Sequence, residues 1–152
     1  MNLVITRELN APVSRVWEMW SVPSEMMKWW GPKPFTAPVI KSDFRVGGKY
    51  HYCMRSPEGQ DFWSTGIYKE IVPMKKIVCT DSFSDAEGNI VSAEQYGMKD
   101  FPLEMTVTID FEEMEGGKTK MTISQGPHPE GEMKKMATEG WSTSLEKLAE
   151  NL

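Results

Sequence analysis

Two interleaved triplets on one short segment hold the densest reactive chemistry in the chain. His51, Cys53 and Arg55 alternate with Tyr50, Tyr52 and Met54, so a strand here would put each triplet on its own face. An inward imidazole would serve as a general base if a partner and a substrate lay within reach. The Tyr–Tyr–Met set is the more apolar and is expected to face inward, leaving His51 at the surface. Tyr68 and Glu70 alternate in a later strand-like segment. A phenol over a pocket can orient a ligand oxygen. The plainer reading, which is favoured, is a packed Tyr68 with its hydroxyl at the edge and a solvated Glu70. A converging polar pair, Tyr68 facing His51 or Asp81, is what an acid–base enzyme would need.

Other polar positions are isolated. Gln125 stands on the otherwise apolar side of the last strand, so it needs a buried partner or a ligand. Arg7 shares parity with Leu3, Ile5 and Leu9, the expected inner face, where a guanidinium requires a carboxylate or carbonyl fork. It is either an anchor for an anionic head or a strand-end snorkel or salt bridge, the latter favoured. His128, between Pro127 and Pro129, is expected to be exposed in a turn. Trp29-Trp30-Gly31-Pro32 is an aromatic gate or, by preference, a plug; adjacent helical residues point about 100° apart, so one indole at most faces inward.

Several chemistries have no footing. No Ser–His–Asp spacing, phosphate-cradling loop, metal cluster or dinucleotide fingerprint is present. No catalytic residue, metal ligand or cofactor is therefore assigned. Cys53 and Cys79, the two cysteines, sit in no metal or redox spacing and are expected as free thiols in a reducing cytosol. A length of 152 residues predicts one domain, 1–152. The net charge of −5 argues against a general nucleic-acid or anionic-membrane binder. No apolar run approaches the ~18 residues of a membrane span, and the opening segment lacks a secretory pattern, so a cytoplasmic location is expected.

The elements that must position these residues are readable from periodicity. Met133, Met136, Ala137, Gly140, Trp141, Ser144, Leu145 and Leu148 recur at helical spacing within Glu130–Asn151. A helix of that length spans roughly 30 Å. Its stripe mixes thioethers and an indole with Ala, Gly and Ser, an adaptable face with room beside it. Gly140 on that stripe predicts a close approach to the backbone. Leu3–Leu9 reads as a strand, followed by a short helix carrying Val13, Val16, Trp17 and Trp20 with Pro12 at its first position, and a second short helix from Pro23 to about Trp29. Strands are predicted over Phe35–Phe44, Lys49–Arg55, Phe62–Val72 and Lys76–Phe83. Ser84–Phe101 has little periodicity and suits a lid or mouth. Met105, Val107, Ile109 and Phe111, then Thr119, Met121, Ile123 and Gln125, alternate with polar residues in two strands joined at Gly116-Gly117. An antiparallel meander with one wet face needs a cover on the other, and only the last helix is long enough. The expected fold is α+β: a curved antiparallel sheet of about seven strands gripping a long C-terminal helix, with two short helices after the first strand. An elongated apolar cavity should remain between sheet and helix.

The chain resembles the START-like, Bet v 1-type (SRPBCC) superfamily, specifically the bacterial branch grouped with the activator of Hsp90 ATPase homologue 1 C-terminal domain. The resemblance rests on Thr6-Arg7-Glu8 with Ala11-Pro12 and Val16-Trp17, on Trp29-Trp30-Gly31-Pro32, on Arg45-Val46-Gly47-Gly48-Lys49, on Gly66 through Pro73, on Gly117-Lys118-Thr119, and on Gly140-Trp141 with Leu145 and Leu148. Together these cover nearly the whole chain. The resemblance implies the helix-grip fold over a hydrophobic pocket but no single activity, since members include ligand carriers, aromatase/cyclases and co-chaperone domains. The inferred lining is poor in titratable groups, so the expected function is binding of a small hydrophobic or aromatic molecule rather than catalysis. The expected wall comprises Trp17, Trp30, Tyr52 and Tyr68; Met105, Val107 and Ile109; Met121, Ile123 and Gln125; and Met133, Met136, Ala137, Gly140, Trp141 and Ser144 of the long helix. A polyketide cyclase/dehydratase-like enzyme and a co-chaperone-like protein-interaction module are the alternatives. The small ligand is the expected partner, a protein partner is allowed by the resemblance alone, and the chain is expected as a monomer or homodimer.

Overall fold

Alternation and turn chemistry place the strands closely to the predicted limits. The computed structural model describes residues 2–152; Met1, the first residue of the expected domain, lies outside the described residues. In chain order the elements are β1 (Leu3–Leu9), α1 (Val13–Ser21), α2 (Pro23–Met26), β2 (Thr36–Ser42), β3 (Lys49–Arg55), β4 (Asp61–Val72), β5 (Lys76–Ser84), a 3-10 turn (Ala93–Tyr96), β6 (Met105–Met114), β7 (Lys118–Gly126) and α3 (Glu132–Glu150). The strands form one seven-stranded sheet in the order β1-β7-β6-β5-β4-β3-β2. Every pairing is antiparallel. β2 to β7 are a plain meander, and β1 is carried past α1 and α2 to the β7 edge. This is the helix-grip architecture expected above.

Local chemistry explains where the elements bend. Pro38 lacks the N–H a ladder needs, and the β2–β3 register shifts between Thr36 and Val39. A second shift lies between Tyr68 and Glu70 on β4. Gly59 and Gly117 take positive φ in the hairpins after β3 and β6, a conformation open to glycine at no steric cost. Pro12 is the N-cap of α1 rather than its first helical residue. Its extended backbone (φ −66°, ψ 154°) leaves its carbonyl to accept from the Arg15 and Val16 amides. The second helix is shorter than expected, passing into a turn after Met26.

The sheet's inner face and the two short helices make the core. Val16, Met19, Trp29, Met121, Ile123 and Leu148 are fully enclosed, each aliphatic or thioether side chain contributing about 1.5–3 kcal/mol on burial. The Trp29 indole N–H donates to the Met19 carbonyl at 2.8 Å, which satisfies its one polar atom inside the core. Trp29 is therefore the plug, while its neighbour Trp30 turns the other way, towards α3.

The long helix is not buried along its whole stripe. Ser144, Leu145 and Leu148 are buried against the core, but Met136 is 56% exposed and Met133, Ala137 and Trp141 are half-buried. The helix thus packs through its C-terminal half and stands away from the sheet through its N-terminal half. Lys147 ties the packed half to the loop after α2, its ammonium donating to the Pro32 and Phe35 carbonyls at 3.2 and 3.1 Å. Gly140 has no crowding neighbour: a Cβ there would meet Pro32 Cγ at 3.5 Å, ordinary contact. The expected close approach to its backbone is absent because the helix has already left the sheet at this turn.

Candidate functional site

Where α3 stands off, a cavity of about 500 Å³ opens between the helix, the ends of β3 to β7 and the Ser84–Met105 connection. Its volume falls in the range that holds a drug-sized molecule. The walls are aromatic and thioether. Trp30 and Trp141 meet edge to face at one end, with centroids 5.8 Å apart. Phe83 and Phe101 meet similarly at the other, 6.0 Å apart. The connection after β5 is built into this far wall. Asp85 Oδ1 accepts from the Glu87 and Asn89 amides, closing a tight turn, and the Tyr96 hydroxyl donates to the Ser84 carbonyl. The expected lid or mouth borders the cavity, contributing Tyr96, Met98 and Phe101.

One polar cluster breaks the apolar lining. Ile77, Cys79, Asp81 and Phe83 share the inward parity of β5, and both cavity and core side chains surround them. Asp81 is the acid in that series. Its Oδ2 accepts from Gln125 Nε2 at 3.0 Å, and Gln125 Oε1 accepts from the Trp141 indole N–H at 3.2 Å. Its Oδ1 faces the Tyr50 hydroxyl at 3.2 Å, but that hydroxyl donates to the Thr80 carbonyl at 2.7 Å. A phenol has one hydrogen to share between these acceptors. Tyr50 reaches β5 from β3 because Gly66, its partner on the intervening β4, has no side chain; a Cβ at Gly66 would overlap the Tyr50 ring and the Thr80 carbonyl. Burial, opposed by the hydrogen bonds from Tyr50 and Gln125, pushes the Asp81 carboxyl above the usual carboxylate range. Burial first, and the Asp81 charge second, push the Tyr50 hydroxyl well above its ordinary value.

His128 is a correction. Expected at the surface, it is 4% exposed and lines the cavity, its ring edge-on to Phe101 at 5.3 Å. Its Nδ1 lies 3.0 Å from the Pro129 carbonyl, an acceptor, so Nδ1 carries the hydrogen there. Nε2 is buried with no protein partner. Arg7 takes the favoured strand-end snorkel. It is exposed, donating to Ser142 Oγ at 3.1 Å and to the Thr6 carbonyl at 2.9 Å, because the long side chain runs out over α3 at the sheet edge. It does not line the cavity.

Of the expected wall, Trp30, Met105, Gln125, Met133, Met136, Ala137, Gly140, Trp141 and Ser144 come together around the cavity. Tyr52, Tyr68, Val107 and Ile109 lie deeper, around a separate void of about 30 Å³. Trp17 packs on Phe44 and Phe111, and Met121 and Ile123 are sealed beneath. The Tyr–Tyr–Met face of β3 is the inner one, and His51 stacks on Trp63 with Nε2 3.1 Å from the Asp85 carbonyl. The Tyr68 hydroxyl bonds Ser42 Oγ at 2.8 Å and the Tyr52 hydroxyl at 3.0 Å, so it pairs with neither His51 nor Asp81. Cys53 and Cys79 are free and buried, and burial pushes the Cys53 thiol up to about 11. Sequence reasoning missed Met54, Phe62, Phe83, Phe101 and His128 as lining. Parity along β5 would have placed Asp81 and Phe83 inward; nothing in the spacing of Phe101 or His128 would have done so.

A twisted antiparallel sheet gripping one long helix, with short helices after the first strand, defines a START-like, Bet v 1-type domain. Within that class, the family model described as "Activator of Hsp90 ATPase homolog 1-like protein" matches residues 10–152, and the chain belongs to this family. Solved structures agree. The chain is 30% identical to a protein from Chromobacterium violaceum, covering 98% of this chain and 94% of that one with a TM-score of 0.81. It is 28% identical to one from Nitrosomonas europaea, covering 100% and 94%, with a TM-score of 0.78. A Mycobacterium smegmatis protein is 26% identical over 99% of this chain and 90% of that one, with a TM-score of 0.80. No curated protein matches the chain in sequence. Among the described residues, no helix is long and apolar enough to cross a membrane.

Proposed function

We propose that this protein binds a small, flat apolar or aromatic molecule between α3 and the sheet. The observation that carries the reading is the 500 Å³ cavity with its facing Trp30 and Trp141 at one end and Phe83 and Phe101 at the other. Met54, Met98, Met105, Met133 and Met136 also line the wall; flexible thioethers adapt to more than one ligand outline. A polyketide cyclase and a co-chaperone role rest on family likeness, and the Tyr68 pair the cyclase reading called for is absent, its hydroxyl being committed to Ser42 and Tyr52.

A thermal-shift panel of naphthalene- and indole-sized compounds tests the reading. A ligand at about a hundred times its Kd stabilises the folded state by about 2.7 kcal/mol, a rise of several degrees in midpoint for a domain of this size. A panel that leaves the midpoint unmoved, together with native mass spectrometry showing no retained small molecule, would overturn it.

A further inference from the structure

The cavity's polar groups are unequal in sign. Its lining includes a carboxyl, Asp81, and an imidazole, His128, but no Lys or Arg side chain. Among the described residues no basic side chain lies within ion-pair distance of Asp81. The carboxyl has one whole donor, Gln125, and one that it shares with the Thr80 carbonyl, Tyr50. A carboxylate drawn out of water keeps its charge through hydrogen-bond donors or a nearby cation. His128 lines the same cavity, with Nδ1–H given to Pro129 and a buried Nε2 that nothing in the protein meets. Aromatic faces at Trp30 and Trp141 complete surroundings that favour positive charge.

We propose, resting on the binding reading above, that the cavity selects lipophilic cations: a protonated amine on a flat apolar body, its ammonium at Asp81 and its rings between the aromatic walls. An ammonium supplies the donors and the countercharge that Asp81 lacks. A carboxylate of the same shape meets the Asp81 carboxyl with no Lys or Arg beside it, and is disfavoured.

Three probes of one shape separate the possibilities: 1-naphthylmethylamine, 1-naphthalenemethanol and 1-naphthoate, titrated calorimetrically against the wild-type chain and Asp81→Asn. The expected order for wild type is amine, then alcohol, then carboxylate, with the amine favoured about tenfold or more over the alcohol, the factor that 1.4 kcal/mol produces. In Asp81→Asn the amine should fall to the level of the alcohol while the alcohol is unchanged. Equal binding of amine and alcohol, a preference for the carboxylate, or an amine preference that survives in Asp81→Asn overturns the inference and leaves the binding reading standing. Absence of heat with all three, together with thermal midpoints that none of them moves and no retained small molecule, overturns both. If Asp81→Asn fails to fold, the wild-type order alone decides.

Discussion

Trp141 on α3 donates its indole N–H to Gln125 Oε1 on β7 at 3.2 Å, a polar link across the cavity between helix and sheet. Gln125 passes its own N–H to Asp81 on β5 at 3.0 Å, so the stand-off half of the helix is joined to the sheet through a half-buried acid. Elsewhere this half of α3 presents Met133, Met136 and Ala137 to open space. The side chains that hold the wall in place are also those that a ligand in the cavity would touch.

The acid makes stability depend on pH with a definite sign. Burial raises the Asp81 pKa above its unfolded value of about 3.9. The folded state then holds the proton more tightly, so the associated stability is fully present below the unfolded value and is lost as pH rises through the folded one. The groups facing Asp81 are Tyr50, Gln125 and the Cys79 thiol; Tyr50 and Cys79 are pushed upward by burial and stay neutral through this window. Urea denaturation of wild type and Asp81→Asn, compared across pH, should show the wild-type advantage shrinking steadily from about pH 4 upward. A pH-independent difference would place the carboxyl in water.

Two tryptophans should separate stability from site. Trp29 is fully buried with its N–H satisfied inside the core, and Trp29→Ala should cost about 3–5 kcal/mol. Trp141 is half-buried beside the cavity, where truncation removes less enclosed surface, so Trp141→Ala should cost about 1–3 kcal/mol. Equilibrium urea midpoints measure both. Equal losses would mean that α3 packs as tightly at Trp141 as the core does at Trp29.

Two glycines should respond in opposite directions to alanine. A methyl at Gly66 would overlap the Thr80 carbonyl and the Tyr50 ring, backbone and packed aromatic alike. Gly66→Ala should therefore cost about 3 kcal/mol or more, the upper range for overpacking, and should disturb the Tyr50–Asp81 contact with it. A methyl at Gly140 meets only Pro32 Cγ at 3.5 Å, and Gly140→Ala should raise stability by up to about 1 kcal/mol through helix propensity. Thermal midpoints of the two variants on opposite sides of wild type are the expected result.

The sequence by itself determined the order and kind of the elements. Period-two alternation in β6 and β7, period-3.6 spacing in α3, and the turn residues between strands are local signals, set by backbone geometry and by which face must leave water. It also singled out Gln125 as needing a buried partner, since an amide among Thr119, Met121 and Ile123 has no local one. Tertiary structure alone decided how far the helix packs. Met133 and Leu148 lie on one stripe, yet one faces a cavity and the other the core, because Trp30, Pro32 and the wall after β5 occupy space that spacing along α3 does not encode. The same is true of His128, buried where flanking prolines suggested a surface turn, and of Asp81, whose surroundings come from β3, β7 and α3 at once. Periodicity assigns a side chain to a face; whether that face meets protein, solvent or a void depends on chain segments distant in sequence.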